Sequence, residues 1–265
     1  MMKNKNISHN IKMNNFYVHQ DYGLYDDGKP LSDNELFMES HLKYKEICDK
    51  NNYKYKLWNK NDCDELVDKY EFVKKYYHNV RYKIMKVDII RFLIIFEYGG
   101  LYSDLDVIPN IDNFDFIINQ PDKIFVSHYY STPQYNCDKV IMDMEVISTV
   151  KPLNLHLLNY LIYIPTQIEE KNKMEIYNSW KIRYVFQTTG PPSFRRFLKQ
   201  NRCEENIKHL RTIQFKKGIS FKDEEHKNMY YQFLSYFSLS YKEQIHGNKY
   251  MSKYKNKKKV NDNNI

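Results

Sequence analysis

Asp88, Arg91, Asp104 and Asp106 stand within one otherwise apolar stretch of this 265-residue chain, Lys86 to Pro109 (KVDIIRFLIIFEYGGLYSDLDVIP). Two carboxylates separated by one residue offer oxygen-only ligands, which suit Mg²⁺ or Mn²⁺, cations that keep several waters and complete their shell from substrate phosphates. A cation held there can grip a diphosphate and neutralise charge on a leaving group. An isolated Asp-x-Asp is common in solvated turns and says little. Here its neighbours Leu101, Tyr102, Val107 and Ile108 place the carboxylates beside buried surface, where unpaired charge is expensive. Asp88 and Arg91 are spaced i, i+3, the pattern of an ordinary intrahelical ion pair contributing roughly a few tenths of a kcal/mol. Set among Ile89, Ile90, Phe92 and Leu93, the same pair also offers a planar fork of donors and an acceptor for hydroxyls.

These residues need elements to position them. The spacing predicts a helix over Tyr82–Tyr98 that carries Asp88 and Arg91 and stops at Gly99-Gly100, since glycine takes left-handed backbone angles without a Cβ penalty. The glycine pair would also let a ligand approach the backbone closely. Leu101–Val107 follows as a strand or extended loop, whose period of two would turn both carboxylates to one side. Upstream, Phe16-Tyr17-Val18 reads as a short strand ending at His19-Gln20 and feeding a turn-rich segment, Asp21–Lys29. A helix over Ser32–Asn51, with Ser32 or Asp33 as cap, and an aromatic second strand over Tyr53–Trp58 complete β-loop-α-β, the start of an α/β sheet. Leu66–Tyr77 reads as one helix. Downstream come a strand at Ile124–His128, a further element at Met142–Thr149, and a helix over Leu153–Ile164 followed by a separate polar helical stretch, Pro165–Lys173. Val185–Pro192 reads as a strand running into a turn, with Ser193 capping a helix to Gln200; Arg211–Phe215 and Met229–Tyr241 are the last apolar runs.

Length and composition limit the function classes. The chain can bury one sizeable core, and no Pro/Gly/Ser-rich linker divides its middle. The expected organisation is a flexible N-terminus over 1–13, a single α/β domain over 14–248 and a basic tail over 249–265. The net charge of +8 suggests nucleic acid only until it is located. Six lysines and one aspartate give the tail +5, Lys3, Lys5 and Lys12 add +3, and the body is neutral. That distribution speaks for solvated ends, with peripheral contact to an anionic membrane through the Lys-rich tail as the alternative. Cys48, Cys63, Cys137 and Cys203 are far apart and form no CxxC pair, so neither a zinc site nor a disulfide framework is indicated. The N-terminus is polar and no run of about 18 apolar residues occurs, so a cytoplasmic location is expected.

Taken together, Asp88-x-x-Arg91 and Tyr98-Gly99-Gly100-x-Tyr102-x-Asp104-x-Asp106 resemble the DxD-containing sugar-binding region of glycosyltransferase family 32, which is similar in its core to the clostridial glucosylating toxins. In the same order, Phe16–Gln20 (FYVHQ) resembles the family's opening strand, Tyr53–Trp58 its second strand, and Thr189-Gly190-Pro191 its later Thr-Gly-Pro turn. The resemblance implies a GT-A fold, a single Rossmann-like mixed sheet flanked by helices. It also implies a UDP- or GDP-sugar donor, Mn²⁺ or Mg²⁺, a glycan, glycolipid or glycoprotein acceptor, and transfer with retention of configuration. By position, Asp106 would bind the metal directly and Asp104 would contact the ribose and the metal shell. Asp88 and Arg91 would hold donor hydroxyls and Tyr22 would pack on the base, with Gly99, Gly100 and Tyr102 completing the donor site. A retaining reaction assigns no protein nucleophile, so no catalytic base is named.

The chain departs from the family pattern twice. Members often end on a His followed by Ser-Trp, whereas here His246 is followed by Gly247-Asn248-Lys249-Tyr250. His246 is either a third metal ligand, which a neutral imidazole suits, or a surface residue. Glu145 stands where Asn is frequent, and a carboxylate there would alter the sugar preference. His19 and Trp58 read as core. Two other readings stay open: a Mg²⁺-dependent protein acting on nucleic acid, using the acidic pair and the basic tail, and a degenerate transferase that binds nucleotide sugar without turnover.

Overall fold

The computed structural model describes residues 16–22, 30–109, 111–130, 140–174, 181–214 and 237–239. In chain order the elements are β1 (Tyr17–Asp21), α1 (Glu35–Asn51), β2 (Lys54–Trp58), α2 (Lys60–Asp68), α3 (Glu71–Tyr77), α4 (Lys83–Tyr98), β3 (Gly100–Ser103) and β4 (Val107–Pro109). They continue with α5 (Asp115–Ile118), β5 (Ile124–Tyr130), β6 (Val140–Thr149), α6 (Leu155–Asn172), α7 (Lys181–Thr188), α8 (Pro191–Gln200), β7 (Ile207–Gln214) and β8 (Phe237–Leu239). The strands form one mixed sheet in the order β2-β1-β3-β6-β5-β7-β8-β4. β1 pairs in parallel with β2 and β3, β6 is antiparallel to β3 and β5, and β7 is parallel to β5.

Alternation along the central strands feeds two cores. Val18, Leu101, Phe125 and Val146 enter the cluster containing Tyr44, Ile47 and Phe114 from α1 and the α5 region. Their neighbours Tyr102, Ile124, Val126 and Ile147 enter the larger cluster formed with α2, α3, α4, α6 and α8. Helices therefore cover both faces, and the expected α/β mixed sheet is borne out. α4 lies deepest: every residue from Val87 to Phe96 is buried, Asp88 and Arg91 included. A helix that is apolar over so much of its surface belongs inside, and that is why its two buried charged residues must find partners in the fold.

Several boundaries differ from the sequence expectation for identifiable reasons. The cap of α1 is Asn34, whose side chain accepts from the Phe37 amide at 3.2 Å, not Ser32 or Asp33, which lie in a 3-10 turn. The expected helix over Leu66–Tyr77 is two, α2 and α3; α2 opens earlier, on a capping box between Asn59 and Asp62. α6 runs unbroken through Pro165, because Leu157, Tyr160, Leu161, Ile164 and Gln167 form one buried face across it. The β-prone segment Val185–Thr188 is helical: it ends α7, whose Tyr184 and Val185 pack with Met85 of α4. Tertiary burial outweighs local propensity there. α8 starts at Pro191 after Gly190, so Ser193 lies inside the helix and is not its cap. Of the aromatic run Met229–Tyr241 only 237–239 lies among the described residues, as β8.

Candidate donor-binding site

Residues 99–107 form the joint between α4 and the sheet edge of the site. Gly99 has φ 65° and Gly100 φ 86°, left-handed values that favour glycine. A Cβ on Gly99 would lie 2.8 Å from the Val150 carbonyl oxygen, and one on Gly100 would lie 2.1 Å from that of Tyr17. The reason for the glycine pair is thus the close approach of the protein's own backbone; a ligand approach is not what fills that space.

The Asp-x-Asp does not continue a strand, as the sequence suggested. It occupies a turn closed by the Val107 amide, which donates to the Asp104 carbonyl at 3.2 Å. Leu105 is buried against Phe37 of α1, with Tyr22, Leu31, Leu57 and Ile108 packed around them. That anchor, more than strand alternation, separates the two carboxylates from the apolar residue between them. Tyr22, the expected base-stacking residue, is therefore brought beside the turn.

Arg91 ties three elements together. Its Nη1 donates to the Met144 carbonyl of β6 at 2.5 Å and lies 3.4 Å from Asp104 Oδ2, while Nη2 lies 3.5 Å from Asp88 Oδ1. The guanidinium also sits 5.4 Å from the Tyr102 ring centroid, and the Tyr102 hydroxyl donates to Asp104 Oδ1 at 3.0 Å. Tyr102 is 1% exposed, so only its hydroxyl reaches the site. Burial pushes the Asp104 carboxyl above the usual carboxylate range, opposed by the Arg91 charge and the Tyr102 hydroxyl.

Thr189 carries more weight than sequence reasoning allowed. Its hydroxyl donates 2.8 Å to Asp88 Oδ2, and its carbonyl accepts from the Tyr160 hydroxyl at 3.1 Å, both bonds buried. The Thr-Gly-Pro turn is therefore fastened to Asp88 across the fold. The only sequence signal for this was the position of the motif in the family order. Glu145 also comes to the site: its carbonyl accepts from the Asp104 amide at 2.8 Å, one residue beyond the Ser103–Val146 pair of β3 and β6. His246 and the basic tail 249–265 lie outside the described residues.

His19 is structural, as expected. Its Nδ1 accepts from the Trp58 indole N–H at 3.2 Å and its Nε2 lies 3.1 Å from the Gly99 carbonyl. Complete burial lowers its pKa to about 3, so the ring is neutral with the proton on Nε2.

The donor chemistry of the turn fits a hard divalent cation: two carboxylates on one backbone-anchored turn, with no competing thiol or imidazole in the described contacts. Among the described residues no group of three or more His, Cys, Asp or Glu is arranged to hold a metal. The protein would accordingly supply a minority of the ligands, leaving the rest to water and substrate oxygens. Asp104 already accepts from Tyr102 and Arg91, and Asp106 stands two residues further along the same turn. Also among the described residues, Cys48, Cys63 and Cys203 are free thiols, and no helix is long and apolar enough to cross a membrane.

The segment that carries these residues is similar to known proteins. Residues 37–124 match the family described as glycosyltransferase sugar-binding region containing DXD motif. A 61-residue segment is 43% identical to mannosyl phosphorylinositol ceramide synthase SUR1 of Saccharomyces cerevisiae, covering 20% of this chain and 14% of that protein. A 101-residue segment is 30% identical to initiation-specific alpha-1,6-mannosyltransferase of Candida albicans, covering 32% of this chain and 26% of that protein. The matches thus span about a quarter or less of these relatives' own lengths. Among solved structures, PaToxG glycosyltransferase superposes with a TM-score of 0.47 at 16% identity, over 71% of this chain and 69% of that one; the fold assignment rests on the sheet itself. Asp88, Arg91, Asp104 and Asp106 all fall inside the segment, residues 37–124, that is similar to the glycosyltransferase sugar-binding region containing DXD motif.

Proposed function

We propose that the protein is a metal-dependent glycosyltransferase of the GT-A type that transfers a hexosyl group from a UDP- or GDP-sugar to a glycan, lipid or protein acceptor, with retention of configuration. The observation that carries the reading is the joining of Asp88, Arg91 and Asp104 into one network beside Asp106, inside a segment that matches a sugar-binding family. In this reading Asp106 holds Mn²⁺ or Mg²⁺ and Asp104 faces the ribose and the cation's water shell. When bound, the cation neutralises charge on the departing nucleoside diphosphate. Tyr22, packed beside Leu105, lies against the base. Asp88 and Arg91 orient sugar hydroxyls, Arg91 while also holding Asp104 in place, and Glu145 borders the sugar subsite. No side chain is assigned as nucleophile.

The test is direct. Purified protein with Mn²⁺ and a panel of UDP- and GDP-sugars should hydrolyse or transfer one of them, and Asp106→Ala should lower the rate by at least about 100-fold, as for loss of a principal electrostatic contact. Full activity in Asp106→Ala would overturn the assignment.

A further inference from the structure

The turn that carries Asp104 and Asp106 is held at both ends by buried polar side chains from elsewhere in the fold. Gln20, at the end of β1, and Ser40, on α1, are both 0% exposed. The Tyr55 hydroxyl donates to Gln20 Oε1 at 2.8 Å, which orients the amide nitrogen the other way. That nitrogen donates one hydrogen to Ser40 Oγ at 2.9 Å and the other to the Asp104 carbonyl at 3.4 Å. The Ser40 hydroxyl in turn donates to the Val107 carbonyl at 2.7 Å. Every donor in this chain is used, and its last two acceptors are the first and last carbonyls of the turn. The same face of α1 places Phe37, one helical turn earlier, against Leu105 in the middle. These three contacts hold the turn from Asp104 to Val107, beside the Val107 amide and the Ser103 hydroxyl that also donate to the Asp104 carbonyl.

We propose that Gln20 and Ser40 are positioning residues for the cation: they hold the 104–107 turn in the shape that presents the Asp104 and Asp106 carboxylates together to a divalent metal carrying a nucleoside diphosphate. The ligand in this inference rests on the glycosyltransferase reading above; the clamp itself rests on the hydrogen bonds. Neither residue touches the metal. Outer partners of this kind act through ligand orientation, and their loss typically weakens metal affinity roughly 10–100-fold.

Gln20→Met and Ser40→Ala remove the donors at little change in volume. Tyr76→Phe serves as a control, since it removes a hydroxyl whose buried hydrogen bond donates to the Leu161 carbonyl at 2.9 Å, away from the turn. Amide hydrogen exchange is measured over 104–107, and calorimetry measures Mn²⁺ affinity in the presence of UDP or GDP. Gln20→Met and Ser40→Ala are expected to speed exchange in the turn by at least about 10-fold and to weaken Mn²⁺ affinity by about 10-fold or more. Tyr76→Phe is expected to lower the melting temperature similarly while leaving both readouts alone. Unchanged exchange over 104–107 would overturn the clamp, whatever the protein binds. Faster exchange with unaltered Mn²⁺ affinity would overturn the positioning role. Wild-type protein that binds neither Mn²⁺ nor nucleotide would overturn the functional reading and with it the cation, leaving a clamp of structural purpose. Should one variant fail to fold, the other, with its two readouts, decides the matter.

Discussion

Two buried polar nodes lie on either side of the Gly99-Gly100 joint, and they solve the same problem in opposite ways. At His19 a titratable ring is enclosed completely, given one donor and one acceptor, and kept neutral. At Asp104 a guanidinium is shared between two carboxyl groups, Asp88 and Asp104, while the Asp104 side chain is partly exposed to solvent. A neutral, fully paired group contributes to stability and has no chemistry left to offer. A cluster of charged side chains at the edge of the core is costly to maintain and is the kind of place where ligands bind.

The largest expected effect comes from breaking the charged node. Arg91→Met leaves buried Asp88 and half-buried Asp104 without the guanidinium they share and should cost about 3–5 kcal/mol in urea unfolding. A loss below about 1 kcal/mol would mean that the guanidinium is not what balances those carboxylates. Thr189→Val removes a hydroxyl bonded to a carboxylate and should cost about 2–3 kcal/mol, again read from urea midpoints. It should also weaken binding of the nucleotide sugar, if Asp88 faces the donor, whereas a purely structural bond would leave that affinity unchanged.

The smallest of the three effects belongs to the neutral node and depends on pH. The folded pKa of His19, about 3, lies below its unfolded value of 6.5. Its contribution is therefore complete above about pH 6.5 and declines as pH falls towards 3, because the unfolded chain binds the proton first. At pH 5 the loss is about 2 kcal/mol relative to pH 7, by the slope of 1.36 kcal/mol per unit. His19→Gln should flatten that part of the stability profile; an unchanged slope between pH 7 and 5 would contradict the neutral, enclosed ring.

Much of this was legible in the residues. The α/β order of the first half follows from alternation at Tyr53–Trp58 and helical spacing through Ser32–Asn51, because each segment buries one face and local periodicity reports it. The four charged residues of the site were legible too, since charge in an apolar stretch demands partners. The second half was less so. Val185–Thr188 has strand-like residues yet forms helix, and Pro165 sits inside one, because the packing of α6 and α7 against α4 outweighs propensities of about 1 kcal/mol.

By itself, then, the sequence determined that Asp88, Arg91, Asp104 and Asp106 would be brought near a helix stop, and that a metal-assisted sugar-nucleotide site was the chemistry to expect. It could not show what the glycines were for, that the Asp-x-Asp lies in a turn, or that Thr189 reaches Asp88 while Gln20 and Ser40 reach the Asp104 and Val107 carbonyls from elsewhere in the fold. Those contacts link residues such as Thr189 and Asp88 that lie about a hundred positions apart. Local spacing carries no record of them: hydrogen bonds of that kind exist only once the two cores have closed around the sheet and left each buried donor one place to point.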